Sequence, residues 1–198
     1  MKPQNITPAS QHLDAKETST VLISSYTAQG KLVNLWNALN DGLEAGLTIN
    51  EIKEILVQLY AYCGFPRSLN ALGAFAKVLD ERVKIGINDE LGKEIKVEIQ
   101  DGNKYELGRK VLEELTKTPQ IKPAPGFGEF APRIDAFLKE HLFSDVFVSD
   151  VLSYQQRELV TVAALGSMTG VEPQLQSHIN MAMNTGITEN KLNGYLQS

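Results

Sequence analysis

Apolar residues recur every three to four positions along most of this chain, and glycines punctuate the stretches that carry them. That period predicts helices. The first runs from Asp14 to Gln29, with Val21, Leu22, Ser25 and Tyr26 as its inner stripe. Asp14 is its N-cap and Glu17 stands three residues on, the capping-box spacing; Gly30 closes it. Leu32 to Ala45 follows, with Leu32, Leu35, Trp36, Leu39 and Leu43 on one face. Thr48 and Glu51 repeat the capping box and open a third helix to about Cys63, lined by Ile52, Ile55, Leu56, Leu59 and Cys63. Gly64-Phe65-Pro66 breaks it, and a fourth helix from Arg67 to about Val83 turns Leu69, Leu72, Ala76 and Leu79 inward.

The pattern is lost between Gly86 and Lys104. Tyr105 to Leu115 reads as a helix, and Thr118 to Gly128, rich in proline and glycine, as a linker. A helix from Pro132 to His141 should bury Ile134, Phe137 and Leu138. Two more follow between Arg157 and Asn184, separated by Gly170-Val171-Glu172-Pro173, since glycine ends a helix easily and proline suits a first turn. The first carries Leu159, Val162, Ala163 and Leu165, the second Leu175, Ile179, Ala182 and Met183. No stretch argues for a strand, so the expected fold class is all-α.

Sliding the chain by 140 residues superposes Gly30 on Gly170, Leu35 on Leu175, Asn40 on Asn180, Gly46 on Gly186, Thr48 on Thr188 and Leu56 on Leu196. These positions include the stops and a cap that set helix length, so they predict two helical units of one design. The organisation expected is a tail over residues 1–14, a first unit over 15–85, a connector over 86–129 with one helix and a linker, and a second unit over 130–198. The second unit ends early in its third helix and has no counterpart of the Tyr62-to-Asn70 stretch. A second copy of the chain is the expected cover for the surface this leaves.

Composition narrows the function by exclusion. A formal net charge of −5 gives no electrostatic case for nucleic acid or an anionic membrane. The one dense basic stretch, Lys104 to Lys117, is interleaved with glutamate and reads as a solvated helix face. No segment has the apolar length of a membrane span, and the N-terminus carries no secretory signal pattern. The single cysteine, Cys63, cannot make an internal disulfide; a cytoplasmic location is expected.

The candidate chemistry sits in the last helix pair. Glu158 lies on the first helix and His178 on the second, a carboxylate and an imidazole suited to proton transfer. His178 is a general acid/base or a helix residue satisfied by a carbonyl or solvent. Glu158 orients His178, acts as a base, or serves the helix N-terminus. Arg157 holds a substrate carboxylate, or pairs with Glu158 or solvent. Near the first unit's third break, Tyr62 and Asn70 line a pocket or satisfy the turn, and Arg67 meets an acidic ligand there. Cys63 is a buried structural thiol or, in the alternative, a one-cysteine peroxidase centre. In the first unit Ala38 and Thr18 occupy the positions of His178 and Glu158, so only the second unit has the pair. His141 with Asp145 is a weak metal signal, and neither a metal nor a cofactor is expected.

The run Arg157-Glu158-Leu159-Val160-Thr161, then Ala163-Ala164-Leu165, Gly170, His178, Asn184, Gly186-Ile187-Thr188, resembles the carboxymuconolactone decarboxylase family, which includes the alkylhydroperoxidase D-like proteins. Gly46-Leu47-Thr48, Glu51, Glu54, Leu56, Gln58, Tyr62, Gly64, Pro66, Asn70 and Ala71 add the family's other signature. The resemblance implies an alkylhydroperoxidase D-like helical bundle of two repeats, assembled as a trimer or hexamer. It implies either cofactor-free decarboxylation of a small carboxylated lactone or peroxide reduction by a CxxC pair. The positions of that cysteine pair hold Val171 and Gln174, so the peroxidase motif is absent. The expected function is therefore acid/base decarboxylation of a small organic acid by His178 and Glu158, with Arg157, Arg67, Tyr62 and Asn70 binding substrate. The alternatives are a peroxiredoxin-type antioxidant using Cys63 and a non-catalytic helical binding or assembly module.

Overall fold

Local caps set the frame of the chain. In the computed structural model, which describes residues 13–95 and 103–196, Asp14 and Glu17 close the reciprocal box that opens α1, Ala15–Gln29. Helix α2 is Leu32–Glu44, and Thr48 with Glu51 opens α3, Ile49–Gln58. Helix α4, Tyr60–Cys63, is a single turn, and α5, Phe65–Lys84, completes the first unit. Helix α6 is Lys104–Thr116; the short α7, Phe127–Phe130, and α8, Pro132–Ala136, lead into a π-helical segment, Phe137–Val146. Ser153 and Gln156 box the start of α9, Tyr154–Gly166; α10, Glu172–Asn184, and α11, Glu189–Leu196, end the described chain. The described residues contain no strand, and no helix among them is long and apolar enough to cross a membrane. Most of the expected tail, and part of the connector, lie outside the described residues.

The 140-residue repeat is visible in the backbone. Helix α10 begins and ends 140 positions after α2, and α11 begins 140 after α3. Gly30 and Gly170 share a left-handed φ of 70° and 79°, and Gly46 and Gly186 one of 90° and 102°. Side chains other than glycine are strained there, which is why these stops recur. Helices α1 and α9 pack on each other at the centre, and Leu152, Val160 and Ala164 of the second unit enter the core of the first. Each unit also reaches the third helix of the other: Glu17 on α1 pairs with Lys191 on α11, and Arg157, the counterpart of Glu17, pairs with Glu54 on α3.

Four helix readings need correction. Helix α1 buries Ser19, Thr20, Val21, Ile23, Ser24, Thr27 and Ala28, while Leu22, Ser25 and Tyr26 are only partly covered. Ser24 and Thr20 return their hydroxyls to carbonyls four residues back, so small polar residues can face the α9 contact. The third helix breaks at Leu59 rather than continuing to Cys63. The inner face of α5 is Ser68, Ala71, Phe75, Val78 and Arg82, not the leucine stripe; Leu69 is well exposed. Ser68 donates to the Leu56 carbonyl, and Arg82 is held by Glu44 and Asp89, which gives polar residues the inside.

The fourth correction concerns Ile134 and Phe137, which are exposed where burial was expected. Asp135 and Lys139 point inward instead, with the Tyr105 hydroxyl donating to Asp135 at 2.6 Å and Lys139 Nζ reaching Asp135 at 2.6 Å and Tyr105 at 3.0 Å. Gly108 of α6 lets the π-helical segment approach, because a Cβ there would land on the Lys139 carbonyl oxygen. Burial pushes the Asp135 carboxyl up, but the bonds from Lys139 and Tyr105 outweigh it and leave it below the ordinary aspartate value. Burial pulls Lys139 down, and the same partners reverse that and raise it above ordinary lysine. Both shifts favour the charged pair. A depressed acid gives stability that is present above its unfolded pKa and lost as pH falls through the folded one; a raised lysine gives stability lost as pH rises through its folded value. The stability difference between wild type and Asp135→Asn/Lys139→Met should therefore stay flat from about pH 5 to 9 and change below about pH 4. Thermal unfolding across that range tests it, and a difference that slopes steadily through neutrality would contradict the assignment.

Candidate active site

The candidate site is built by α9 and α10 of the second unit and α4 of the first. The capping box at Ser153 fixes where α9 starts and so places Glu158 in its second turn. Helix α9 ends at Gly166, earlier than the expected stop at Gly170; Gly170, at a left-handed φ of 79°, turns the chain into α10, where His178 lies about one turn and a half in. Glu158 Oε2 meets His178 Nδ1 at 2.8 Å; Glu158 is 0 % exposed and His178 7 %. The carboxylate fixes one ring nitrogen, which leaves Nε2 to take or give a proton.

Tyr62 comes from the other unit. Its ring stands edge-on to the His178 ring with centroids 5.4 Å apart. Its hydroxyl is buried beside the Thr161 side chain, and Glu158 Oε1 is buried with no hydrogen-bond partner among the described residues. Burial and then the charge of Glu158 push the Tyr62 phenol far up, so it remains a neutral O–H donor.

Arg157 is fully buried, but its guanidinium is engaged inside the protein: one nitrogen reaches Glu54 at 2.8 Å and the Ser149 carbonyl at 2.8 Å, another Gln58 Oε1 at 3.0 Å. Gln58 then donates to the Arg157 carbonyl and to Thr161, each at 2.9 Å. The expected partner was substrate, Glu158 or solvent; the partner present is Glu54, 103 residues earlier. Glu54, Gln58 and Thr161 are the polar residues that reading the site from sequence left without a role. A signal existed for two of them, because Glu54 and Gln58 sit four apart on the same helix as Ile52, Ile55 and Leu56, and a carboxylate buried there needs a cation.

Arg67 and Asn70 are exposed on α5. Cys63 is half-buried and its thiol donates to the Leu59 carbonyl at 3.1 Å. Burial pushes that thiol up, with Arg67 opposing the shift only in part. Val171 is half-buried and Gln174 exposed at the start of α10. His141 Nδ1 lies 3.0 Å from Asp145, and no cluster of three or more metal-ligating side chains occurs among the described residues.

This arrangement of two helical units can be set beside known proteins. The sequence matches the model of the Carboxymuconolactone decarboxylase family over residues 5–77 and 132–196, more than half of the chain. The chain belongs to the carboxymuconolactone decarboxylase family. The two matched stretches correspond to the two repeats, so it is an all-helical, two-repeat carboxymuconolactone decarboxylase-like protein. A search of curated proteins finds no significant match.

Proposed function

We propose that this family member carries out cofactor-free acid/base chemistry, decarboxylating a small carboxylated lactone or a related organic acid. The observation that carries the reading is the buried 2.8 Å contact between Glu158 and His178 in a chain with Val171 and Gln174 at the cysteine positions. The substrate carboxylate leaves as CO2, and the electron pair of the broken C–C bond moves into the conjugated lactone carbonyl. His178, as the imidazolium, delivers a proton from Nε2 to carbon and is reprotonated by solvent. Glu158 stabilises the imidazolium and holds the ring. Since Glu54 neutralises Arg157, Arg67 is the cation that this reading assigns to the substrate carboxylate, with Asn70 beside it on α5.

The peroxidase alternative rests on Cys63 alone. A raised thiol bound to a backbone carbonyl, with no second cysteine, lacks both the thiolate and the resolving partner. Self-association is part of the reading. What supports it is the exposed apolar run Phe127, Phe130, Ile134 and Phe137, of which Phe130 is 93 % exposed.

The test is release of labelled CO2 from a panel of carboxylated unsaturated lactones, run beside peroxide consumption with dithiothreitol or thioredoxin. CO2 release without peroxide consumption is the expected result. Peroxide consumption that disappears in Cys63→Ser would overturn the proposal and move the centre to Cys63.

A further inference from the structure

Thr161 is fully buried on α9, one turn after Glu158, and its hydroxyl joins the two units. A hydroxyl has one donor and two acceptor sites. The Thr161 O–H donates to the Arg157 carbonyl at 3.0 Å, and its oxygen accepts from Gln58 Nε2 at 2.9 Å. One lone pair is left. The buried Tyr62 hydroxyl, a donor that needs an acceptor, lies beside it. Gln58 ends α3 and Tyr62 stands four residues on in α4, so both come from the first unit. Tyr62 therefore spans the site. Its hydroxyl end rests on α9 at Thr161, and its ring stands edge-on to His178 of α10, at 5.4 Å and 82°.

A hydrogen bond at Nδ1 does not by itself fix an imidazole, because rotation about its last torsion is soft. The 2.8 Å contact with Glu158 needs a second constraint to keep Nε2 aimed. The Tyr62 ring is placed to be that constraint, provided its own far end is tied down. We infer that Thr161 is a positioning residue: its hydroxyl anchors Tyr62, and the Tyr62 ring holds the His178 imidazole on Glu158. The first unit, with Ala38 and Thr18 where the second has His178 and Glu158, then supplies the part that keeps the pair in register. The role rests on the acid/base site proposed above but is read on the imidazole itself, without turnover.

NMR of protein labelled with 15N at histidine reads it. The chain has three histidines, and His178→Gln assigns the signal. In the wild type the His178 ring should carry its proton on Nδ1, and that proton should exchange slowly with water. Thr161→Val keeps the shape of the side chain and removes the hydroxyl. The Nδ1 proton should then exchange about tenfold faster, the factor for one lost hydrogen bond, and the Nε2–H tautomer should appear. Thr161→Ser keeps the hydroxyl, gives up a buried methyl, and should retain the wild-type signature. The signature should thus follow the hydroxyl and not the midpoint of thermal unfolding, which a merely structural role would make it follow. Tyr62→Phe keeps the ring, loses the O–H, and should match Thr161→Val. The double variant should add less than about twofold to either single, since both remove the same bond. A mixed tautomer in the wild type, wild-type exchange in Thr161→Val, or loss of the signature in Thr161→Ser would each overturn the inference. Effects of Tyr62→Phe and Thr161→Val that multiply would do the same. In the CO2 assay, Thr161→Val should lower kcat by roughly 10–100-fold, the cost of a misplaced group, and leave KM nearly unchanged. No CO2 release from the wild type with the NMR results intact would remove the decarboxylase reading and leave Thr161 as the residue that orients His178.

Discussion

Replacing His178 with alanine is expected to lower kcat for the proposed decarboxylation by about 10²–10⁴-fold, the usual contribution of a positioned acid or base. The imidazole is held at Nδ1 by Glu158 Oε2 at 2.8 Å, so the variant loses both the proton donor and the charge that the carboxylate is placed to stabilise. KM should change much less, since the substrate carboxylate is assigned to Arg67. Glu158→Gln should fall between the two enzymes: the amide can still hold the ring but does not stabilise the imidazolium. Initial rates of CO2 release, with circular dichroism to confirm folding, measure both. An alanine variant that turns over at the wild-type rate would remove His178 from the chemistry.

Arg157→Ala should be the most damaging substitution for stability, at about 3–5 kcal/mol. Arg157 is 0 % exposed by side chain and Glu54 7 %, so the truncation leaves a buried carboxylate without its cation. The same guanidinium holds Gln58 and the Ser149 carbonyl, which lose a donor at once. Burial pulls the arginine down, and the Glu54 contact opposes this, so the charge is kept by its partner and not by water. The double variant Arg157→Met/Glu54→Leu should recover much of the loss, because apolar replacements of a buried pair are often close to neutral. Urea unfolding of the two singles and the double decides it. A loss below about 1 kcal/mol in Arg157→Ala would mean that the pair behaves as a surface ion pair.

These two predictions draw on different kinds of information. The pairing of Glu158 with His178 was legible in the sequence, because the two stand on successive helices separated by the Gly170-Val171-Glu172-Pro173 break, while the Ser153 cap that starts the first of them was not read there. Its 2.8 Å contact follows once those two helices pack. Arg157 was legible as a charge beside that pair but not as a structural cation. Its partner lies on α3 of the other unit, and no local pattern specifies a contact across 103 residues. Tyr62 was noted beside a helix break, yet its place against His178 exists only because α4 packs on α9.

The sequence by itself determined the all-helical class, the capping boxes at Asp14 and Thr48, the glycine stops and the 140-residue repeat. Each depends on hydrogen bonds or backbone angles within a few residues, so local chemistry specifies them. Tertiary structure decided which faces are buried. On α5 and on the Pro132–Val146 stretch the apolar period pointed to leucine, isoleucine and phenylalanine, while the interior took Ser68, Arg82, Asp135 and Lys139. A polar side chain can occupy the inside when a partner from a distant segment satisfies it, and periodicity counts only the apolar contribution. Glu44 for Arg82 and Tyr105 for Asp135 and Lys139 are such partners, and they become neighbours only when the helices pack.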